Sequence, residues 1–194
     1  MKKIVLLTFL VLLSSCDNLN KQKKQSDLNI KKESKIEMKQ EKRKDTIYNY
    51  WALVLDTISD KKEFVISNKK HQLEIKTYSL NDSSIVRNLS QDGESVYLDH
   101  SHKMVSDFKL LTDSIFSTKE IDRTSFKKIL DPDFYTECNL FSTEMDSIKG
   151  NVIYLNSDLA VPDTDNQWRV WYSINIERDG LGELIIKEAD YVGL

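Results

Sequence analysis

Ten residues near the C-terminus constrain the fold more than any others. From Trp168 to Glu177 the chain alternates without a break. Trp168, Val170, Tyr172, Ile174 and Ile176 fall on one side, and Arg169, Trp171, Ser173, Asn175 and Glu177 on the other. Successive side chains of a strand point to opposite faces, so this segment buries its apolar half only as a strand laid against a core. Arg178-Asp179-Gly180-Leu181-Gly182 follows, and Asp-Gly is a strong hairpin signal. A returning strand, Glu183 to Glu188, brings Leu184 and Ile186 to one face. Further strands are expected at Trp51–Thr57, Gln72–Tyr78, Ile85–Asn88, Ser95–Asp99, Val105–Leu111, Tyr135–Phe141 and Val152–Asn156, with turns at Asn81-Asp82-Ser83 and Gln91-Asp92-Gly93. One stretch changes period. Phe126, Ile129 and Leu130 predict a short helix near 123–130, capped by Asp122 or Thr124 and stopped by Pro132. The expected class is mainly β: an antiparallel β-sandwich or open barrel over one core, with that single helix.

The start of the chain reads as an address. Lys2 and Lys3 precede the apolar run Ile4 to Leu13, which is too short for a bilayer that needs roughly 20 helical residues. It is therefore expected to be a secretory signal. Leu13-Ser14-Ser15-Cys16 resembles the lipobox of bacterial lipoproteins. That resemblance implies cleavage before Cys16, a diacylglyceryl group on its sulfur and an acyl group on its new amine. Several chains anchor stably, because each buried methylene contributes about 0.8 kcal/mol and one chain alone is marginal. Asp17 marks inner-membrane retention in enteric bacteria and is ignored by other Gram-negative groups, so the expectation is a lipid-anchored cell-envelope protein with the membrane left open.

Residues 17–44 hold ten basic and five acidic residues and no Gly, Pro or aromatic residue, a composition that predicts a disordered tether. As a coil it spans about 30 Å. Residues 45–194 hold 16 basic and 26 acidic residues. A basic leash is drawn to anionic headgroups while an acidic domain is repelled from them. The expected division is thus signal 1–15, lipidated cysteine and tether 16–44, and one globular domain 45–194. With 5 Gly, 2 Pro and 2 Cys in 194 residues, collagen-like, mucin-like and disulfide-scaffold classes are excluded. A net charge of -3 argues against a strongly basic nucleic-acid binder.

Several phrases occur in a recurring order: Asp82-Ser83-Ser84-Ile85-Val86, Gly93 with Val96-Tyr97-Leu98-Asp99, Asp113-Ser114-Ile115-Phe116, Thr124-Ser125-Phe126 and Val161-Pro162-Asp163-Thr164-Asp165. Over Leu73 to Lys187 the chain resembles a family of small Bacteroidota lipoproteins carrying a domain of unknown function. The resemblance implies a secreted, lipid-anchored location and brings neither an activity nor catalytic residues. The stretch after Phe134 departs from the pattern.

The candidate chemistry is sparse. Cys138 is the one thiol left after lipidation, and its strand parity with Phe134, Thr136 and Leu140 predicts core packing. His100 and His102 flank Ser101, and a shared metal would need further ligands when His71 is the only other histidine. Asp163, Asp165 and Asn166 are weak Ca²⁺ candidates, because Trp168 stands where a calcium loop needs glycine. Trp171 shares its face with Arg169, Ser173, Asn175 and Glu177; an aromatic ring among polar groups stacks on a sugar or anchors a protein. No Gly-x-Ser-x-Gly, Gly-rich phosphate loop or His-Glu-x-x-His occurs. The expectation is a non-catalytic binding domain without a cofactor, contacting an envelope protein or a glycan through Arg169, Trp171 and Asn175. The alternatives are an envelope hydrolase using an Asp/Glu pair and a lipoprotein that neutralises a basic toxin.

Overall fold

In the computed structural model, the described residues are 45–193 apart from Asp92, Glu94, Ser114 and Asp179. The signal, Cys16 and the tether lie outside them. Eleven strands occur among the described residues: β1 (Thr46–Tyr50), β2 (Thr57–Ile66), β3 (Lys69–Ser79), β4 (Ile85–Asn88), β5 (Val96–Ser101), β6 (Met104–Thr112), β7 (Ile115–Ile121), β8 (Asn139–Lys149), β9 (Val152–Ala160), β10 (Gln167–Glu177) and β11 (Gly180–Tyr191). Two four-stranded antiparallel sheets, ordered β2-β3-β6-β7 and β11-β10-β9-β8, share one core. A third, three-stranded sheet is ordered β1-β5-β4, and its β1 runs parallel to β5. Neither large sheet closes into a barrel among the described residues.

The alternation in β10 is the core's clearest source. Val170, Tyr172 and Ile174 are buried, and Trp168 packs at the core's edge between Phe134 and Tyr191. Leu184 and Ile186 of β11 pair with Ile174 and Tyr172 and pack on the same core. β4 spans the expected residues, the strands expected within β3, β6 and β9 form with longer bounds, and the one expected at Ser95–Asp99 forms shifted, as β5.

Turn chemistry sets the hairpins. Ser67 and Asn68 both take positive φ, 50° and 62°, in the two-residue turn joining β2 to β3, the geometry that matches strand twist. Gly180 opens β11 at φ 129°, and a Cβ there would run into Ser117 of β7. The Leu181 N–H donates to Ser117 Oγ at 3.0 Å, which brings one edge of each large sheet together.

Three expectations need correction. The segment after β1, Trp51 to Asp56, is irregular instead of a strand, held by Trp51 N–H to His100 O (3.0 Å) and by Val54 to the Asn81 side chain. The helix near 123–130 shrinks to a 3₁₀ turn, Arg123–Phe126, capped by Asp122. The α-helix, α1, is Pro132–Glu137, where a strand was expected. Proline lacks only an N–H that the first helical turn leaves unpaired, so Pro132 starts a helix here instead of stopping one. Asp131 completes that start by accepting from the N–H groups of Asp133 and Phe134. Cys138 therefore caps α1 instead of sharing a strand with Thr136, which is exposed.

Two buried polar systems hold the architecture. The first is a chain of hydroxyls through the core: Thr77 to Ser106 at 2.6 Å, Ser106 to Thr143 at 2.8 Å, Thr143 to Ser157 at 2.9 Å and Ser157 to Tyr172 at 2.9 Å. It stitches β3 and β6 of one large sheet to β8, β9 and β10 of the other. The second centres on Asp99 of β5. Its carboxylate accepts from Asn49 Nδ2 (2.6 Å), from Trp51 Nε1 (3.0 Å) and from Arg87 Nη2. Arg87 in turn donates through Nη1 to Pro162 O at 2.7 Å. Burial pushes the Asp99 carboxyl up, but the hydrogen bonds from Asn49, Arg87 and Trp51 and the guanidinium charge outweigh it, so its pKa lies below the ordinary carboxylate value.

A depressed folded pKa stabilises the native state above the unfolded value, about 3.9, and that contribution fades as pH falls through the folded value. Asp99→Asn leaves the Arg87 guanidinium buried without its counter-charge and is expected to cost about 3–5 kcal/mol in urea unfolding at pH 7. The variant's stability should also fall less steeply than the parent's between pH 4 and pH 2; identical acid limbs would remove Asp99 from this role.

Candidate functional site

The outer face of the β11-β10-β9-β8 sheet carries the residues expected to make contact. Arg169 lies opposite Asp158 of β9 and Asp190 of β11, and Trp171 lies opposite Asn156 and Glu188. The Arg169 side chain is tied down, donating through Nε to Asp158 Oδ1 (2.7 Å) and through Nη2 to Oδ2 (2.9 Å). The Asp158 hydrogen bond raises the Arg169 pKa, opposed by burial, and Asp158, Glu144 and Asp146 add their negative charge. Asn156 is 4% exposed; its Nδ2 donates to Asp146 at 2.7 Å while its Oδ1 is buried without a partner. Tyr154 is covered by Lys187, whose Nζ lies 4.2 Å from the ring centre. Trp171 is half-buried, and among the described residues no aromatic ring or cation stacks on it. Asn175, also half-buried, pairs with Val152 further along β10. The structure thus places Arg169, Trp171 and Asn175 on one face, with Arg169 acting as a fixed support beside a free ring.

The histidines meet at a backbone segment. The Ser83 N–H donates to His102 Nδ1 at 3.0 Å, which makes that nitrogen an acceptor and leaves Nε2–H to donate to Ala52 O at 3.2 Å. His100 Nδ1 lies 3.4 Å from Ser83 O, and Tyr50 stacks on its ring at 4.5 Å. His71 sits elsewhere, beside Thr112 and Phe64. No group of three metal-ligating side chains occurs among the described residues. Asp163 and Asp165 are exposed in the β9–β10 loop, which is closed by Thr164 Oγ1 to Val161 O (2.9 Å) and by Asn166 N–H to Thr164 Oγ1 (3.1 Å).

A cleft of about 480 Å³ was not legible in the sequence. Its walls are mainly apolar, with Ile58, Met104, Leu140, Val161 and Pro162 among them, and Trp51 stands at one side. Thr77, Ser101, His102 and Asn139 supply polar atoms, and Asp56 and Asp163 are exposed lining residues. These residues come from the irregular segment after β1, from β2, β3, β5, β6 and β8, and from the β5–β6 turn and the β9–β10 loop, so no local spacing could reveal them. A depression of about 550 Å³ near Phe64 and His71 is more open; among its lining groups Gln72 donates to Glu63 (2.8 Å) and His71 pairs with Thr112 (2.7 Å).

The acidities argue about catalysis. Burial pushes Asp82, Asp99 and Asp122 upward, yet hydrogen bonds, joined at Asp99 by Arg87 and at Asp122 by Lys103, outweigh it, and all three lie below the ordinary carboxyl value. A glycosidase acid needs the opposite shift. Cys138 is fully buried; desolvation pushes its thiol up to about 12 against the opposing charge of Arg123.

The fold and these surfaces define a mostly β protein with a polar, aromatic sheet face and a separate apolar cleft. No family model matches the chain, and no curated protein matches it in sequence. No helix among the described residues is long and apolar enough to cross a membrane.

A thiol pushed up to about 12 is almost wholly protonated at pH 8, and only the thiolate reacts. Iodoacetamide at that pH is expected to leave Cys138 unlabelled in the folded chain and to label it in 6 M guanidinium, as read by peptide mass mapping. Rapid labelling of the native protein would refute the burial.

Proposed function

We propose that the chain is a lipid-anchored cell-envelope protein whose domain binds without catalysis, taking a glycan or an envelope protein on the outer face of the β11-β10-β9-β8 sheet. The anchor rests on Leu13-Ser14-Ser15-Cys16 behind a short apolar leader. Kinship with the Bacteroidota lipoproteins is part of the same proposal and rests on the phrases that carry the resemblance.

One observation carries the binding reading. The Trp171 ring is half-buried and unstacked, and directly opposite it the Asn156 Oδ1 is buried without a hydrogen-bond donor. An uncompensated buried acceptor costs free energy that a ligand hydroxyl or N–H recovers on arrival. A sugar brings both an apolar face for the indole and hydroxyls for the amide, which favours glycan over an apolar protein patch. Arg169, already held by Asp158, fixes the floor beside the ring and loses little freedom on binding.

Trp171→Ala is expected to leave the urea midpoint within error and to weaken binding of soluble peptidoglycan fragments at least tenfold, about 1.4 kcal/mol, by titration calorimetry. A midpoint shift as large as the affinity loss would make the ring structural. Mass spectrometry of the protein from its native cells should find residues 1–15 removed and Cys16 carrying acyl chains; a bare thiol there would sink the anchor.

A further inference from the structure

The apolar cleft includes none of Arg169, Trp171, Asn175 and Asn156, and its chemistry is different. Its polar atoms sort into those already spent and those left over. His102 uses both ring nitrogens. Asn139 donates to His102 O at 2.6 Å and accepts from the Met104 and Leu140 N–H groups. His102 has nothing left for a ligand without breaking a bond inside the protein, and Asn139 keeps only the second N–H of its Nδ2.

Two hydroxyls deep in the cleft add to that. Ser101 is 2% exposed and its hydroxyl has no hydrogen-bond partner. A buried hydroxyl without a partner is costly and rare in native structures, and it marks a place where something else completes the bond. Thr77 is 1% exposed. Its role follows from proton counting along the hydroxyl chain. Each hydroxyl has one proton, and Ser106 gives its own to Thr143. The Thr77–Ser106 bond at 2.6 Å must then use the Thr77 proton. Thr77 can therefore offer only lone pairs to whatever enters. The buried end of the cleft asks for a hydrogen-bond donor.

The exposed lining asks for positive charge. Asp56 and Asp163 both line the cleft and are exposed, and neither forms an ion pair among the described residues. No Lys or Arg lines it. A carboxylate ligand would meet two like charges and no counter-charge, whereas an ammonium meets two partners.

We propose that this cleft binds a small amphipathic amine: an aromatic or aliphatic body in the apolar walls, an ammonium group between Asp56 and Asp163, and a hydroxyl or N–H at the buried end that donates to Thr77 and pairs with Ser101. A cleft of about 480 Å³ lies within the usual range for small-ligand sites, roughly 300–1,000 Å³.

A three-compound series on the full chain, produced without lipid modification, tests each part by titration calorimetry at pH 7. Tyramine carries the body, the ammonium and the buried-end hydroxyl. Phenethylamine lacks the hydroxyl, and 3-(4-hydroxyphenyl)propionate exchanges the ammonium for a carboxylate. Tyramine is expected to bind one to one and more tightly than either, by about fivefold over phenethylamine, the usual worth of one hydrogen bond. Ser101→Ala should keep or raise the melting midpoint, because it removes an unpaired buried group, and should erase the preference for tyramine over phenethylamine. Asp56→Asn with Asp163→Asn, both at exposed positions, should erase the preference for amine over carboxylate. Rising salt should weaken tyramine binding. The proposal is overturned if the propionate binds as tightly as tyramine, if the three compounds bind without saturation, or if none binds at millimolar concentration. It is also overturned if Ser101→Ala leaves the tyramine preference intact. None of these outcomes touches the Trp171 face, whose own test uses peptidoglycan fragments.

Discussion

The carboxylate of Asp99 is the point on which the smaller half of the molecule turns. Three side chains from three stretches of chain converge on it: Asn49 from β1, Trp51 from the irregular segment and Arg87 from β4. Without it, β1 would hold to β5 by backbone bonds and the stacking of Tyr50 on His100, and the segment from Trp51 to Asp56 would keep only the backbone bond at its start. Through Arg87 the same knot reaches the carbonyl of Pro162 and so positions the loop that walls the cleft. Burying such a pair yields little net stability, because desolvation consumes most of the attraction. What it does confer is geometry: a charge that must be met by these donors permits one arrangement of the three strands.

The larger half uses neutral polar groups for a related purpose. Five hydroxyls cross the core from Thr77 to Tyr172, and each one finds a partner. A hydrophobic interface between two sheets tolerates sliding, since apolar contacts have no direction. Hydroxyl contacts do, and a slip of one residue would strand them in a medium where they cannot find water. Burial pushes the Tyr172 phenol well above its ordinary pKa despite the bonds from Ser157 and Thr143, so the chain stays neutral throughout the range in which proteins fold.

The sequence was most readable where one periodicity acts alone. The alternation of Val170, Tyr172 and Ile174 needed no tertiary information, and the cap was narrowed to Asp122 or Thr124, of which Asp122 forms it. Reading failed where a residue has two uses. Pro132 ends one run and begins another, and the exposure of Thr136 between buried Phe134 and Cys138 shows which. Trp51 looks like a strand aromatic, yet its N–H is claimed by Asp99 from 48 positions away. On the sheet face, Trp171 could be singled out from its polar neighbours, but the pairing of Asn156 with Asp146 could not. The cleft was beyond reach because each of its walls comes from a different element. Four of the five phrases behind the family resemblance contain backbone at positive φ: Ser83 at 51°, Gly93 at 71°, Asp113 at 54° and Asp163 at 58°. They record turn geometry more than chemistry.

The two large sheets remain open, so their outer strands present unpaired backbone to the surroundings. Bulges bend β8 at Leu140/Ser142 and Met145/Ser147, and others bend β10 against β11, so those borders do not lie flat. Strand β2 has no such bend, and its Ile58 and Val65 are more than half exposed. Between them lie Asp60, Lys61, Lys62 and Glu63. Charges in that position keep a straight border from recruiting a stranger's strand. Asp60, Lys61, Lys62 and Glu63 thus set a toll on any strand that would extend this border, the straight one that no bulge protects.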